Sequence, residues 1–227
     1  MSVTPSRSYY MLVASLPALP VRFDGGRVPI SRATLRERLE LLEPEDAEVT
    51  AQVAQYFSRS PESLDKTDEQ VIARYHELMR TSRSDLVRHL IETRTVSRLL
   101  LSAFRRHRAG LAPPTWELRP ADPLAEQIRK HWSTPNFGLR GSYRWLEDFA
   151  KHYDAGDMVG AQRVIFEERW NDWTKIAQRY TFTLEAVIAY LVRWEIVDRW
   201  TSQNAEAGKA RFHNLVEETL GEYAKPV

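Results

Sequence analysis

Between Ser84 and Gly110 the chain runs without a glycine or a proline, and its apolar residues recur at helical spacing. Ser84 is a helix-opening residue, and Gly110 followed by Pro113-Pro114 is a stop. One helix therefore spans Ser84 to about Arg108, the longest uninterrupted helical stretch in the sequence. A helix of this length, with Leu86, Leu90, Leu99, Leu100 and Phe104 on it, must bury apolar surface against other elements. That requirement fixes the expected class as all-α, built of packed helical bundles.

The remaining segments agree. Ser31 caps a helix over 34–43 that carries Leu35 and Leu39, and Pro44 starts another with Val49, Val53, Tyr56 and Phe57 on one face. Residues 67–79 read as a helix with Val71, Ile72, Tyr75, Leu78 and Met79 inward. Arg59 to Asp65 reads as a linker. Further helices are expected over 142–152, 159–177, 183–200 and 206–223, with Gly156-Asp157 a turn. Tyr9 to Leu16 is an apolar element whose period fits a strand or a helix. It lacks a small-residue cleavage site and is read as part of the fold. The Pro-rich stretch 111–123 is the expected internal boundary, and 135–141 a second break. One helical domain over 1–227 results, with sub-bundles 9–110 and 122–223.

Composition excludes several chemistries. With 43% hydrophobic and 28% charged residues, the chain is expected to fold over most of its length. Its 9 glycines are too few for a typical sandwich or barrel. The absence of cysteine removes disulfides, cysteine–zinc sites and thiol catalysis. A net charge of +1 supplies no global field toward nucleic acid or membrane. Phosphate-loop, zinc-helix, di-iron and nucleophile-elbow motifs are missing. His152, Asp154 and Asp157 gather at a turn and read as solvated. No catalytic residue, cofactor or metal ligand is assigned.

Three features are candidates for function. Arg94, Arg98 and Arg105 share one face of the long helix, with Arg83, Arg88, Arg106 and Arg108 nearby. Such a stripe suits phosphates, an acidic partner or internal carboxylates, and equally a solvated face. No aromatic residues interleave with it, which disfavours nucleic acid. Glu195 falls in the middle of the stripe formed by Leu184, Val187, Ile188 and Leu191. A carboxylate there needs a cationic partner, with Arg94 and Arg98 the first candidates. Trp194 and Trp200 flank it, as core residues or as interface anchors. Phe166, Trp170, Trp173 and Ala177 form a packing stripe.

The opening Tyr9-Tyr10-Met11-Leu12-Val13-Ala14-Ser15-Leu16-Pro17 resembles the start of a bacterial family of uncharacterised proteins. Its genes typically sit in V-type ATP synthase operons. A second block runs from Glu168-Arg169-Trp170-Asn171-Asp172-Trp173 through Tyr180-Thr181-Phe182-Thr183. It continues to Arg193-Trp194-Glu195-Ile196-Val197-Asp198-Arg199-Trp200. The two blocks sit near the two ends of the chain, and the middle matches loosely. In operon position and helical character the family is similar to the socket subunit of V/A-type ATP synthases. That subunit is an all-helical piece between the central stalk and the membrane rotor ring. Arg94 to Arg98 through Arg108 to Leu111, and Arg193 to Glu195, are weakly similar to its Arg-bearing repeats. The chain is shorter than a typical three-repeat socket, which points to a two-bundle version or an assembly factor.

The resemblance implies a non-catalytic component that adapts the stalk to the rotor. It would be cytoplasmic, peripheral to the inner membrane through the complex, with the other V-type ATP synthase subunits as partners. The alternative is a helical nucleic-acid-binding protein using the Arg stripe.

Overall fold

The computed structural model describes residues 8–57, 67–82 and 84–223, with side chains described except at 55–57 and 204–223. Among the described residues the regular structure is helical and contains no strand. The all-α class expected from apolar spacing is what the chain adopts. The linker expected over 59–65, and Arg83, lie outside the described residues.

The helices are α1 (Tyr10–Ser15), α2 (Arg32–Leu39), α3 (Pro44–Phe57), α4 (Asp68–Thr81), α5 (Asp85–Arg108), α6 (Pro123–Lys130), α7 (Trp145–Asp154), α8 (Met158–Ala177) and α9 (Leu184–Tyr223), with a 3-10 segment at Pro135–Gly141. Their starts follow local chemistry. The Ser31 hydroxyl accepts from the Thr34 N–H at 3.1 Å, and Ser84 does the same for Val87 at 3.4 Å. Thr67 and Gln70 form a reciprocal capping box at the head of α4. The ambiguous element near the N-terminus is helix α1.

Two sequence expectations need correction. The helices expected over 183–200 and 206–223 are one helix, α9, whose 40 residues make it longer than the 24-residue α5, the longest expected from the sequence. The connecting residues 201–205 are mostly polar but include no glycine or proline, so nothing interrupts the backbone ladder. An unexpected helix, α6, directly follows the Pro-rich stretch. Asp122 caps α6, with Pro123 at its first position, where the missing N–H costs nothing.

The chain forms two compact units, 1–54 with 166–227, and 55–165. They divide the chain differently from the sub-bundles 9–110 and 122–223, because residues 1–54 group with 166–227 and the expected boundary at 111–123 falls inside the second unit. In the first unit the core clusters join Tyr9, Leu12 and Leu42 to Val187, and Ile30 and Leu35 to Trp194. Phe23 packs there against Phe166 and Trp200, the latter edge-on at 5.1 Å between ring centroids. In the second unit α5 is the central element, burying ten residues from Leu86 to Phe104. It packs against α4, while α6 and α7 pack against the 3-10 segment. Phe104 meets Phe149 and Tyr153 edge-on, each at 5.3 Å.

Within the 3-10 segment, Asn136, Phe137 and Gly138 all have left-handed backbones, with φ of 51°, 56° and 65°. A phenylalanine pays for that conformation sterically. Here its ring is 1% exposed, stacks on Trp132 at 5.2 Å, and meets the edge of His107 at 5.7 Å.

Candidate functional site

A network of charged side chains in the first unit centres on the buried Glu195, on α9. The neighbouring Val192, Trp194, Ile196 and Val197 are buried, and Glu195 itself is 8% exposed. Such a carboxylate is tolerated only when its oxygens are bonded and its charge is met. Both conditions hold. Arg32 Nη2 donates to Glu195 Oε2 at 3.0 Å, and Arg199 Nε donates to Oε1 at 2.9 Å.

Arg32 also reaches Asp198 Oδ2 at 2.6 Å. Its guanidinium carbon lies 4.9 Å from the centroid of the Trp194 ring. The four charged residues thus form a network of two cations and two anions that joins the first turn of α2 to α9. Burial opposes the charge on Arg32, but hydrogen bonds and charge interactions with Asp198 and Glu195 outweigh it and raise its pKa.

Glu195 is buried and paired, as its place in the apolar stripe requires, but its partners are Arg32 and Arg199 in place of Arg94 and Arg98. The i, i+4 spacing of Glu195 and Arg199 is a readable signal for a helical ion pair. Arg32 carries none, being 163 positions away in the chain.

Trp194 is 2% exposed and its indole N–H donates to the Ile30 carbonyl at 2.9 Å. Trp200 is 9% exposed and packs with Phe23 and Phe166. Both are core residues of the first unit and do not present exposed anchors.

The arginines of α5 are drawn into the protein to different degrees. Arg94 and Arg98 are half-buried, and Arg105 is exposed. Arg88 Nε donates to the Ser82 carbonyl at 2.9 Å, and Arg106 Nη2 to that of Ala112 at 3.2 Å. Arg108 makes a two-point pair with Asp154, with Nε to Oδ1 at 2.7 Å. The stripe is therefore not a uniformly solvated face.

Asp154 being held by Arg108, His152 pairs instead with Asp157, at 2.8 Å. Among the described residues no group of three His, Asp or Glu is placed to hold a metal ion. None of the helices there is long and apolar enough to cross a membrane.

An all-α protein with an internally neutralised charge network in one unit is the class that fold and site define. The chain belongs to DUF2764, a family of proteins of unknown function, whose model matches residues 45–222. No curated protein and no solved structure matches it.

Proposed function

We propose that the chain is a non-catalytic V-type ATP synthase component, an adaptor between the central stalk and the membrane rotor ring that resembles the helical socket of the V/A-type enzymes. The observation that carries this reading is the resemblance of two stretches, Tyr9 to Pro17 and Glu168 to Trp200, to the operon-encoded family. They lie near opposite ends of the chain, yet both belong to the first compact unit. There they meet directly. The Tyr190 hydroxyl donates to the Pro17 carbonyl at 3.0 Å, and the rings of Tyr10 and Phe182 lie 4.7 Å apart.

The physical demand on such an adaptor is stiffness under torque. The 40-residue α9 and the Arg32–Glu195–Arg199 network that ties it to α2 fit that demand. A mechanical part needs no reaction centre, and its partners are the other synthase subunits on the cytoplasmic side of the inner membrane.

Pull-down of the native protein followed by mass spectrometry tests the reading. Central-stalk and rotor subunits are expected among the captured proteins, and absence of every synthase subunit would overturn it. A permanent subunit is recovered in fixed proportion to the intact complex, whereas an assembly factor is enriched with partial complexes.

A further inference from the structure

We propose that the outward face of α1, with the acidic start of α3 beside it, is a docking surface for a basic amphipathic helix of a partner protein. The proposal stands apart from the V-type reading, since it concerns what one surface of the first unit recognises and not which complex the chain joins.

A surface helix normally turns an apolar stripe to the core and charged residues to water. α1 breaks that pattern. Its six residues, Tyr10-Met11-Leu12-Val13-Ala14-Ser15, include no charged side chain. One side is covered. Leu12 is 1% exposed and shares a core cluster with Tyr9, Leu42 and Val187, and Val13 packs against it. The other side faces water. Tyr10 is 61% exposed, Met11 is 81% exposed, and Ala14 is exposed as well. Helical spacing puts these three residues on one face. Tyr10 extends the face to Phe182, whose ring lies 4.7 Å from its own. Single apolar side chains on a surface are ordinary, but a surface helix without a charge on either side is not.

The border of this face is acidic. From Leu39 to Ser58 the sequence holds Glu40, Glu43, Glu45, Asp46 and Glu48, and no lysine, arginine or histidine. The fold brings the start of that run to α1, because the Tyr9 hydroxyl donates to Asp46 Oδ2 and Leu42 joins the cluster of Tyr9 and Leu12. Glu43, almost one turn before Asp46, is exposed. The cation that precedes the run, Arg38, is bonded to the Ser15 carbonyl at the C-terminal end of α1.

These features select the occupant. An apolar face bordered by carboxylates suits a segment that carries apolar and cationic side chains together. A helix offers no open strand edge, so recognition runs through side chains, as when an amphipathic helix lies against an apolar surface. Tyrosine and methionine are favoured at such contacts, one rigid and large, the other adaptable. A two-fold contact of the face with itself would gather the carboxylates of both copies at one interface. Anionic lipid and nucleic acid would meet the same repulsion.

The test uses the full chain and a fluorescein-labelled, capped peptide of leucine and lysine spaced as an amphipathic helix, followed by anisotropy. A matched leucine–glutamate peptide and vesicles of equimolar phosphatidylcholine and phosphatidylglycerol are run beside it. The leucine–lysine peptide is expected to bind saturably, and more weakly as salt rises. The leucine–glutamate peptide and the vesicles are expected not to bind. Met11→Ser removes apolar surface without touching the core and is expected to weaken binding at least about fivefold. Glu43→Gln removes one charge and should weaken it about twofold at low salt. Val159→Ser alters an aliphatic residue of the second unit that is 64% exposed, and should leave binding unchanged. Circular dichroism verifies that each variant folds.

No saturable binding of the leucine–lysine peptide, or a loss in Met11→Ser no greater than in Val159→Ser, would overturn the surface. Tighter binding of the leucine–glutamate peptide, or undiminished binding in Glu43→Gln at low salt, would overturn the basic character of the partner. Vesicle binding that Met11→Ser abolishes would assign the face to a membrane. A dimer in sedimentation velocity that Met11→Ser dissociates would assign it to a second copy. Either result removes the partner helix.

Discussion

Arg32 Nη2 lies 3.0 Å from Glu195 Oε2, joining the start of α2 to α9 across 163 positions of chain. The pair is asymmetric, because the Glu195 side chain is 10% exposed and that of Arg32 is 56% exposed. Removing the buried partner and removing the exposed one are therefore different experiments. The first leaves Arg199 and Arg32 facing a neutral group. The second leaves Glu195 with Arg199 and with water at the vacated side.

Glu195→Gln is expected to lower stability by about 2 kcal/mol, the scale for losing charge-assisted bonds at a buried acceptor. Arg32→Ala is expected to cost about 1 kcal/mol, because an ion pair with a half-exposed member contributes little through charge and the rest is lost contact with Trp194. Urea midpoints of the two variants, followed by tryptophan fluorescence, check the order. Equal midpoints, or a larger loss for Arg32→Ala, would show that the network does not depend on Glu195.

A second buried carboxylate serves the backbone. Asp122 is 1% exposed, and it accepts from the Leu118 N–H at 3.0 Å and the Leu124 N–H at 3.1 Å. It thereby caps α6 and fastens the segment before it. Asp122→Ala strands both donors and is expected to cost about 2–3 kcal/mol. Asp122→Asn retains one acceptor oxygen and should cost about half as much. Thermal melting of the two variants decides whether the position acts through hydrogen bonding.

How much of this is legible in the sequence depends on whether the signal is local. The caps at Ser31, Thr67 and Ser84 are, since each serves an N–H three residues on. So is the burial of Glu195, because the apolar stripe of one helix defines its inward face. Arg199 is equally readable, at one helical turn. Arg32 is not, because nothing in a window around Glu195 indicates which distant helix will pack there.

The break expected after Trp200 fails for the opposite reason. The stretch that follows is polar, but polarity favours solvent and does not break a helix. The Asp-Pro start of α6 is a local signal too, masked by the surrounding prolines. The stacking of Arg193 on Trp170 joins two helices and leaves no mark in either one's periodicity.

The start of α8 gives a pH prediction. The Asp157 carboxyl is held below its ordinary range, first by the Gly160 N–H at 2.8 Å and then by His152. A carboxylate depressed in the folded state stabilises above its unfolded pKa. That contribution disappears as pH falls through the folded value. Asp157→Asn keeps an acceptor for Gly160 but never carries charge. The melting temperature of the wild type is expected to exceed that of the variant at pH 7, and the two curves should converge as pH drops below about 4. A gap that persists unchanged to about pH 2 would show that the charge of Asp157 contributes nothing.

The left-handed turn of the second unit separates two glycines only three residues apart. Gly138 has φ +65°, and a Cβ there would sit 3.3 Å from Gln127 Nε2, which donates to the Phe137 carbonyl. Gly141 is not in that region, and a Cβ on it would meet nothing within 4 Å. Gly138→Ala must bear both the left-handed cost and the displacement of Gln127, and is expected to lose about 1–2 kcal/mol. Gly141→Ala restricts the unfolded chain without a clash and is expected to be neutral or to gain about 0.5 kcal/mol. Differential scanning calorimetry of both variants measures the contrast. Because composition and local exposure are nearly matched, opposite shifts would isolate backbone conformation as the cause. Equal shifts would mean that the turn relaxes out of the left-handed region at little cost, and that Phe137 is not held there by its stacking on Trp132.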